Sequence, residues 1–401
     1  MIKIGVMGYG TIGSGVVRVI EENNEVISAR IGDSIEVKSV LDIREFEGNP
    51  IHDKIVHDYK QLAADPEISI VVETMGGVEP AFTFTKAMLE AGKSVVTSNK
   101  AVVAAKGPEI FQIAKANNVS YLFEASVGGG IPIIRSIEEA LTADVIEEIS
   151  GILNGTTNYI LTKMTMNGME YADALKEAQD LGYAEKPDPI QDVGGFDPAR
   201  KISILTSLVS GRKVDYEKVY TEGITKISAA DIKYAEAMGK RVKLLASSYL
   251  IDGSYVVMVA PFLVPSDHAL YQVSNAMNAV FVKGNMLGDA MFYGAGAGSL
   301  PTASAVVGDV VEIAKNAGRR IDMSWSGEEL KLRDYTEMEN RFFVRTIASK
   351  AKIETVFGKV EYISVKDVEN ETAFVTEKMK EADFITKKAV LGDNTSAIRI
   401  K

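Results

Sequence analysis

Apolar residues along the chain come in short bursts, separated by turns rich in glycine and proline. Residues 2–7 (IKIGVM), 35–43 (IEVKSVLDI), 68–74 (ISIVVET), the run SVVTSNK ending at Lys100, and 120–125 (SYLFEA) read as buried strands. Helical patterns fall between them: SGVVRVIEENN after the first strand, PAFTFTKAMLEAGK after the third, and residues 108–117. This alternation predicts a doubly wound parallel sheet over residues 1–142. A helix through Leu141 closes that region.

From Asp144 the pattern changes. VIEEISGIL predicts a strand, the polar loop Asn154–Asn158 opens a helix YILTKMTMNG, and residues 212–290 alternate short strands and helices. Lys240–Val264 reads as a helix followed by a hairpin turned at Asp252-Gly253. Residues 143–299 are expected to form an α+β domain for substrate binding and dimerisation. The helix AVVGDVVEIAKNAG, about 300–320, is expected to return to the first domain. Residues 338–401 form a small α+β appendix, with RFFVRTI, GKVEYISV and TSAIRI as strands and TAFVTEKMKEA as a helix. Its content suggests a compact lid or regulatory module. No internal repeat or low-complexity tract is evident.

The first strand runs directly into Gly8-Tyr9-Gly10-Thr11-Ile12-Gly13 and then a helix, the context that a dinucleotide fingerprint requires. Gly8 makes the turn, Gly10 lets backbone approach a pyrophosphate, and Gly13 lets helix and strand pack closely. The expectation is a Rossmann-type domain holding NAD or NADP. Near the end of the second strand, Asp42 would take the ribose hydroxyls of NAD, and Arg44 the 2′-phosphate of NADP. With both present, the choice stays open, and either is also compatible with a solvated loop charge. Lys100 falls at the carboxyl end of a strand, where open α/β sheets place their ligands.

The densest polar stretch is Leu181–Lys201, LGYAEKPDPIQDVGGFDPARK, with Glu185, Asp188, Asp192, Asp197 and a terminal lysine. Asp197-Pro198 reads as a helix start, Asp as N-cap and Pro at the first helical position, with the helix closing at Gly211. Lys201 then lies in the first turn, on the side of Asp197. A helix N-terminus is a poor place for a cation, which favours acid–base use of such a lysine. A capped helix after a polar surface loop would look the same. Thr156 and Asn154 would contact a small polar substrate, or cap their helix. The glycines at 128–130 free backbone carbonyls to build a cation site or approach a nicotinamide, or make a plain tight turn.

Composition narrows the chemistry. With 401 residues, 46% hydrophobic and 25% charged, the chain has the profile of an ordinary globular protein of two or three domains. The formal charge of -11 argues against nucleic-acid or anionic-membrane partners. No apolar run reaches the length of a membrane span and no signal-peptide pattern opens the chain, so a cytoplasmic location is expected. There is no cysteine and there are only three scattered histidines, so cysteine nucleophiles, thiolate zinc sites and histidine metal sites drop out.

Taken together, GYGTIGSGVV (8–17), VTSNKA (96–101), FEASVGGGIPI (123–133), GILNGTTNYIL (151–161), the GYAE to DPARK stretch (182–201) and YGAGAGSLPTASAVVGD (293–309) resemble the homoserine dehydrogenase family. The resemblance covers roughly the first 320 residues, in the family's order. It implies NAD(P)-dependent interconversion of L-homoserine and L-aspartate 4-semialdehyde in threonine, isoleucine and methionine biosynthesis, by a homodimer. Carried over, Lys201 is the catalytic lysine and Lys100 a second one. Glu185, Asp192, Asp197 and Thr156 serve the substrate. Gly182 and Gly298 lie on the cofactor side. The carbonyls of Glu124, Val127, Gly129 and Ile131 match a monovalent cation site, with sodium expected. Lys186-Pro187 supply two residues where the family pattern has one, so a bulged loop is expected. ETAFVTEKMKEADF resembles a remnant of the family's ACT regulatory domain, without an evident ligand turn.

Two other readings compete. Tyr159 and Lys163 have the YxxxK spacing of short-chain dehydrogenases. A non-catalytic nucleotide sensor would share the fingerprint and tolerate loss of Lys201. An aspartate-semialdehyde dehydrogenase is excluded by the missing cysteine nucleophile.

Overall fold

A computed structural model describes residues 1–401 except Asp367 and Glu369. The chain divides into two compact units: Met1–Val145 with Ser203–Tyr216 and Phe292–Leu330, and Ile146–Ile202 with Glu217–Met291 and Lys331–Lys401.

The first unit opens with β1 (Ile2–Met7), α1 (Thr11–Glu22), α2 (Asn24–Ile31), β2 (Ile35–Leu41), β3 (Ile55–Val56) and α3 (Tyr59–Ala64). β4 (Ile68–Glu73), α4 (Ala81–Glu90), β5 (Ser94–Thr97), α5 (Lys100–Ala116) and β6 (Tyr121–Leu122) follow. The six strands are parallel in the order β3-β2-β1-β4-β5-β6. This is the mononucleotide-fold order, whose switch point lies beside β1. Near-continuous burial of Ile4–Met7, Ile70–Glu73 and Val95–Thr97 reflects a sheet covered on both faces. α5 starts eight residues before the helix expected at 108–117. Asn99 explains the difference: its side chain accepts Ala101 N (3.1 Å) and Val102 N (3.4 Å), capping a helix that tolerates Pro108 inside it. Beyond the glycine turn, Ser136–Ala140 forms a short π-helical segment.

The second unit begins with β7 (Ile146–Ile152), α6 (Gly155–Asn167), α7 (Tyr171–Asp180) and α8 (Ile190–Val193). α9 (Phe196–Ser210) carries the chain back into the first unit, where β8 (Arg212–Lys213) lies. β9 (Tyr220–Thr221), α10 (Ala229–Ala237), β10 (Lys240–Ile251), β11 (Ser254–Pro265), β12 (Met277–Gly284) and β13 (Gly288–Ala295) come next. α11 (Ser299–Lys315) and β14 (Ser326–Glu329) belong to the first unit. Gly15 marks where α11 meets α1: a Cβ there would fall 2.6 Å from Ser299 Oγ, which itself donates to Thr11 O at 2.6 Å.

β10 and β11 pair along twelve residues each, turned at Asp252 (φ 50) and Gly253 (φ 76). No helix occurs within Lys240–Val264. Leu244–Ser248 suit a helix by propensity, but cross-strand packing on β11 and β7 decides their state.

The chain ends with β15 (Glu339–Thr346), α12 (Lys350–Phe357), β16 (Val360–Ile363), β17 (Thr372–Thr376), β18 (Met379–Lys380), α13 (Glu381–Leu391) and β19 (Ser396–Ile400). The run Thr372–Lys380, expected to be helical, forms strands, and the helix begins only at Glu381. Ala373, Phe374 and Val375 are buried between β15 and β16, so sheet pairing outweighs the helical reading of the Glu- and Lys-rich continuation. The resulting β-α-β-β-α-β unit has the strand order β19-β15-β17-β16, a split βαβ arrangement. β19 pairs with β11 and fuses this module into the large sheet. Its core stacks Phe342 on Phe384 (3.6 Å, 3°) with Phe357, Phe374 and Ile353 around them.

Candidate active site

In the first unit, Gly8 (φ 96) turns the chain out of β1 into α1. A Cβ on Gly13 would fall 1.9 Å from Gly8 O, so only glycine allows this closure. Above Gly10 nothing lies within 4 Å of a Cβ position. The α1 N-terminus, with Thr11 and Ile12 in its first turn, has no side-chain cap on Gly10. Its N–H groups face a space of the kind a pyrophosphate occupies.

At the end of β2, the Asp42 carboxylate is buried (6% side-chain exposure) while Arg44 is 56% exposed. Asp42 accepts Tyr9 N (2.8 Å), Arg44 N (3.0 Å), Arg44 Nε (2.9 Å) and Arg44 Nη2 (2.8 Å). The guanidinium holds the Asp42 carboxyl well below the ordinary carboxylate range. Arg44 also lies 5.0 Å from the Phe46 ring centre, with its Nη1 edge unbonded among the described residues. The two charges read as rivals in the sequence form one unit.

Lys100 is the first residue of α5, at the carboxyl end of β5. Its placement depends on Glu73, which sequence reasoning passed over as the end of an apolar strand. Fully buried Glu73 accepts Thr97 Oγ1 (2.6 Å), Met75 N (2.7 Å) and Asn99 Nδ2 (3.5 Å), tying the ends of β4 and β5 to the cap of α5. Burial raises its carboxyl above the ordinary range.

The glycine turn is held from both sides. Glu124 sends its carboxylate across the turn to Ile134 N and Arg135 N, each 2.8 Å, and its own N–H donates to Asp309 Oδ2 at 2.9 Å. Gly128 (φ 73) and Gly129 (φ 58) make the reversal, and a Cβ on Gly129 would meet Gly296 C and O at 2.6 Å. Burial, and the neighbouring Glu124 charge, push Asp309 up to about 8. Among the described residues no group of three His, Asp or Glu side chains could hold a metal ion. Gly298 (φ 116) begins α11 in the same unit.

In the second unit, Lys201 Nζ donates to Leu153 O (2.7 Å) and Asp197 Oδ2 (2.8 Å), with both side chains buried. The helix starts earlier than expected. Ala199 N bonds Gly195 O, so Asp197 lies in the first turn and is not its N-cap. Freed from capping, the carboxylate turns to Lys201. Asn154 does three jobs: its Oδ1 caps α6 by accepting Thr157 N (2.9 Å), and its Nδ2 donates to Asp192 Oδ1 (2.7 Å) and Asp197 Oδ2 (2.9 Å). Thr156 Oγ1 donates to Tyr183 O (2.6 Å), next to Gly182 (φ 78). Glu185 stays outside this network: it is exposed, and only its backbone carbonyl is bonded, by Gln179 Nε2 (3.0 Å). The Tyr159–Lys163 pair is taken up structurally. Tyr159 Oη donates to Glu177 at 2.6 Å and Lys163 pairs with the same carboxylate at 2.9 Å.

A family model for the NAD-binding domain of homoserine dehydrogenase matches residues 8–124, and a homoserine dehydrogenase model matches residues 132–311. The homoserine dehydrogenase of Pseudomonas aeruginosa is 44% identical over 318 residues, 78% of this chain and 72% of the relative. That of Bacillus subtilis is 38% identical over 405 residues, 96% of this chain and 93% of the relative. A crystal structure of a homoserine dehydrogenase from Thiobacillus denitrificans superposes with TM-score 0.92 at 34% identity, covering 100% of this chain and 98% of the other. A hyperthermophilic archaeal homoserine dehydrogenase solved with NADPH superposes with TM-score 0.66 at 28% identity, covering 79% and 99%. The glycine-lined β1–α1 turn and the buried lysine–carboxylate–amide network thus occur in a chain that belongs to the homoserine dehydrogenase family.

Proposed function

We propose that Lys201 is the acid–base group of an NAD(P)-dependent interconversion of L-homoserine and L-aspartate 4-semialdehyde, within threonine, isoleucine and methionine biosynthesis. One observation carries the assignment: a buried lysine whose Nζ is held by Asp197 and Leu153 O, with Asn154 locking Asp197 to Asp192. The nicotinamide, when bound, supplies or accepts the hydride at the substrate's alcohol carbon. What remains is one proton at the substrate oxygen. Lys201 moves it, and Asp197 keeps its Nζ in place. Lys100 serves the nicotinamide side. Asp192, Asp197 and Thr156 hold the substrate, with Asp192 and Asp197 offering carboxylates to its ammonium group. Glu185 joins them only if its loop folds inward on binding.

NADP is the preferred cofactor in this reading. Asp42 has spent its acceptor capacity on Tyr9 and Arg44, so little remains for ribose hydroxyls. The exposed Arg44 guanidinium suits a 2′-phosphate. The glycine turn that carries the carbonyls of Glu124, Val127, Gly129 and Ile131 is the place for a monovalent cation in this reading, a turn fixed by Gly128 (φ 73) and Gly129 (φ 58). A homodimer accords with Met286 (82% exposed), Leu287 and Met291 at the open edge of the large sheet beside β13. The C-terminal βαββαβ module has the element order of an ACT domain. No helix among the described residues is long and apolar enough to cross a membrane, and cytoplasmic residence fits a biosynthetic dehydrogenase.

The test is absorbance at 340 nm on mixing the protein with L-homoserine and NADP or NAD, with sodium or potassium present. A homoserine-dependent rise, steeper with NADP, is expected. Cofactor binding without any rise would leave a nucleotide sensor.

A further inference from the structure

β1 and β4 run side by side and end together, Met7 pairing in register with Glu73. Thr74 ties the two ends further, donating from its N–H to Met7 O (2.9 Å) and from its hydroxyl to Gly8 O (2.9 Å). At this β1–β4 boundary the strand order reverses, and the crevice above such a boundary is where a doubly wound sheet receives a dinucleotide. Asp42 and Arg44, at the end of β2, mark the adenosine side. The nicotinamide half therefore falls on the other side, over the ends of β4 and β5. Glu73 and Thr97 are the last residues of those two strands.

Glu73 is completely buried, yet none of the ion pairs among the described residues includes it. Its oxygens meet only neutral donors: Met75 N (2.7 Å) and Asn99 Nδ2 (3.5 Å) at Oε1, and Thr97 Oγ1 (2.6 Å) at Oε2. The first two can only donate, so they favour a carboxylate, against the burial that raises it. A brace alone would not need the charge. Glutamine would accept Met75 N through the same oxygen and donate to Thr97 Oγ1, whose hydroxyl can reverse. A buried carboxylate without a cation is costly until a positive charge joins it. The oxidised nicotinamide ring carries that charge, and the reduced ring does not.

We propose that Glu73 is an electrostatic positioning residue for the nicotinamide half of the crevice, its buried carboxylate supplying the counter-charge that favours the oxidised cofactor over the reduced one. Glu73's role rests on the cofactor reading of the glycine turn and not on Lys201.

Isothermal titration of the full chain tests this, using the oxidised and reduced forms of whichever of NADP and NAD the wild type binds more tightly. Glu73→Gln is expected to weaken the oxidised form at least fivefold and the reduced form less than twofold. Glu73→Asp keeps the charge and shortens its reach, so the ratio of the two dissociation constants is expected to stay within twofold of wild type. A packing brace would move both forms together. Equal weakening or no change in Glu73→Gln, or a ratio shifted as far in Glu73→Asp, overturns the proposal. Glu73→Met gives the same comparison if Glu73→Gln fails to fold, since Asn99 Nδ2 keeps its bond to Gly77 O (2.7 Å). A wild type that binds neither form would overturn the cofactor reading itself, and Glu73's role with it.

Discussion

Lys201 Nζ and Asp197 Oδ2 lie 2.8 Å apart, one helical turn from each other at the buried start of α9. The pair exists because the helix begins at Phe196, which releases Asp197 from capping. Asp197→Asn keeps an oxygen in reach and removes the charge. A fall in kcat of about ten- to a hundredfold is expected, below the roughly 10²–10⁴-fold of full acid–base assistance because Lys201 itself remains, with cofactor affinity measured by fluorescence titration unchanged.

Arg44 and Asp42 form one unit at the end of β2, so their substitutions are not equivalent. Arg44→Ser exposes the Asp42 carboxylate to ribose hydroxyls and removes the phosphate partner. The ratio of kcat/KM for NADP over NAD is expected to fall at least tenfold, on the order of 1.4 kcal/mol. Steady-state kinetics with both cofactors reads this directly.

The lesson of sequence against structure is sharpest at three places. The fingerprint Gly8–Gly13 was legible because strand, glycine turn and helix must be contiguous to work. The pairing of Lys201 with Asp197 was legible in their spacing of four along a helix, although Asp197-Pro198 does not start that helix. Glu73 was not: nothing marks it as a brace until β4 and β5 align and bring Thr97 and Asn99 to its oxygens. The triple role of Asn154 likewise depends on Asp192 and Asp197, some forty residues away, returning to the start of α6. Lys240–Ile251 and Thr372–Lys380 carry helical patterns yet form strands for the same reason, since β7 and β15, distant in sequence, pair with them.

Lys243 gives a test of buried charge away from the site. Its Nζ donates to Val273 O and, at 3.2 Å, to Asn158 Oδ1. Burial, then the Arg241 charge, pushes it down to about 7. An unfolded lysine titrates near about 10.4, so between these values the unfolded chain binds the extra proton and stability rises with pH. The wild type is expected to gain stability relative to Lys243→Met as pH goes from 7 to 10, followed by urea unfolding. A constant difference would contradict this.

Gly129 combines φ 58 with a backbone neighbour 2.6 Å from any Cβ. Gly129→Ala is expected to cost at least the roughly 1–2 kcal/mol of left-handed strain. On the proposal that this turn holds a monovalent cation, it should also flatten the dependence of activity on sodium. Thermal unfolding and a sodium titration of rate separate the two effects.

The most direct measurement is the steady-state rate of Lys201→Met with L-homoserine and NADP, alongside the cofactor's dissociation constant. Expected is a kcat lower by about 10²–10⁴-fold, with cofactor binding and thermal unfolding close to wild type. Turnover near the wild-type rate would remove Lys201 from the chemistry and leave the Asp197–Asn154–Asp192 network as a structural clamp.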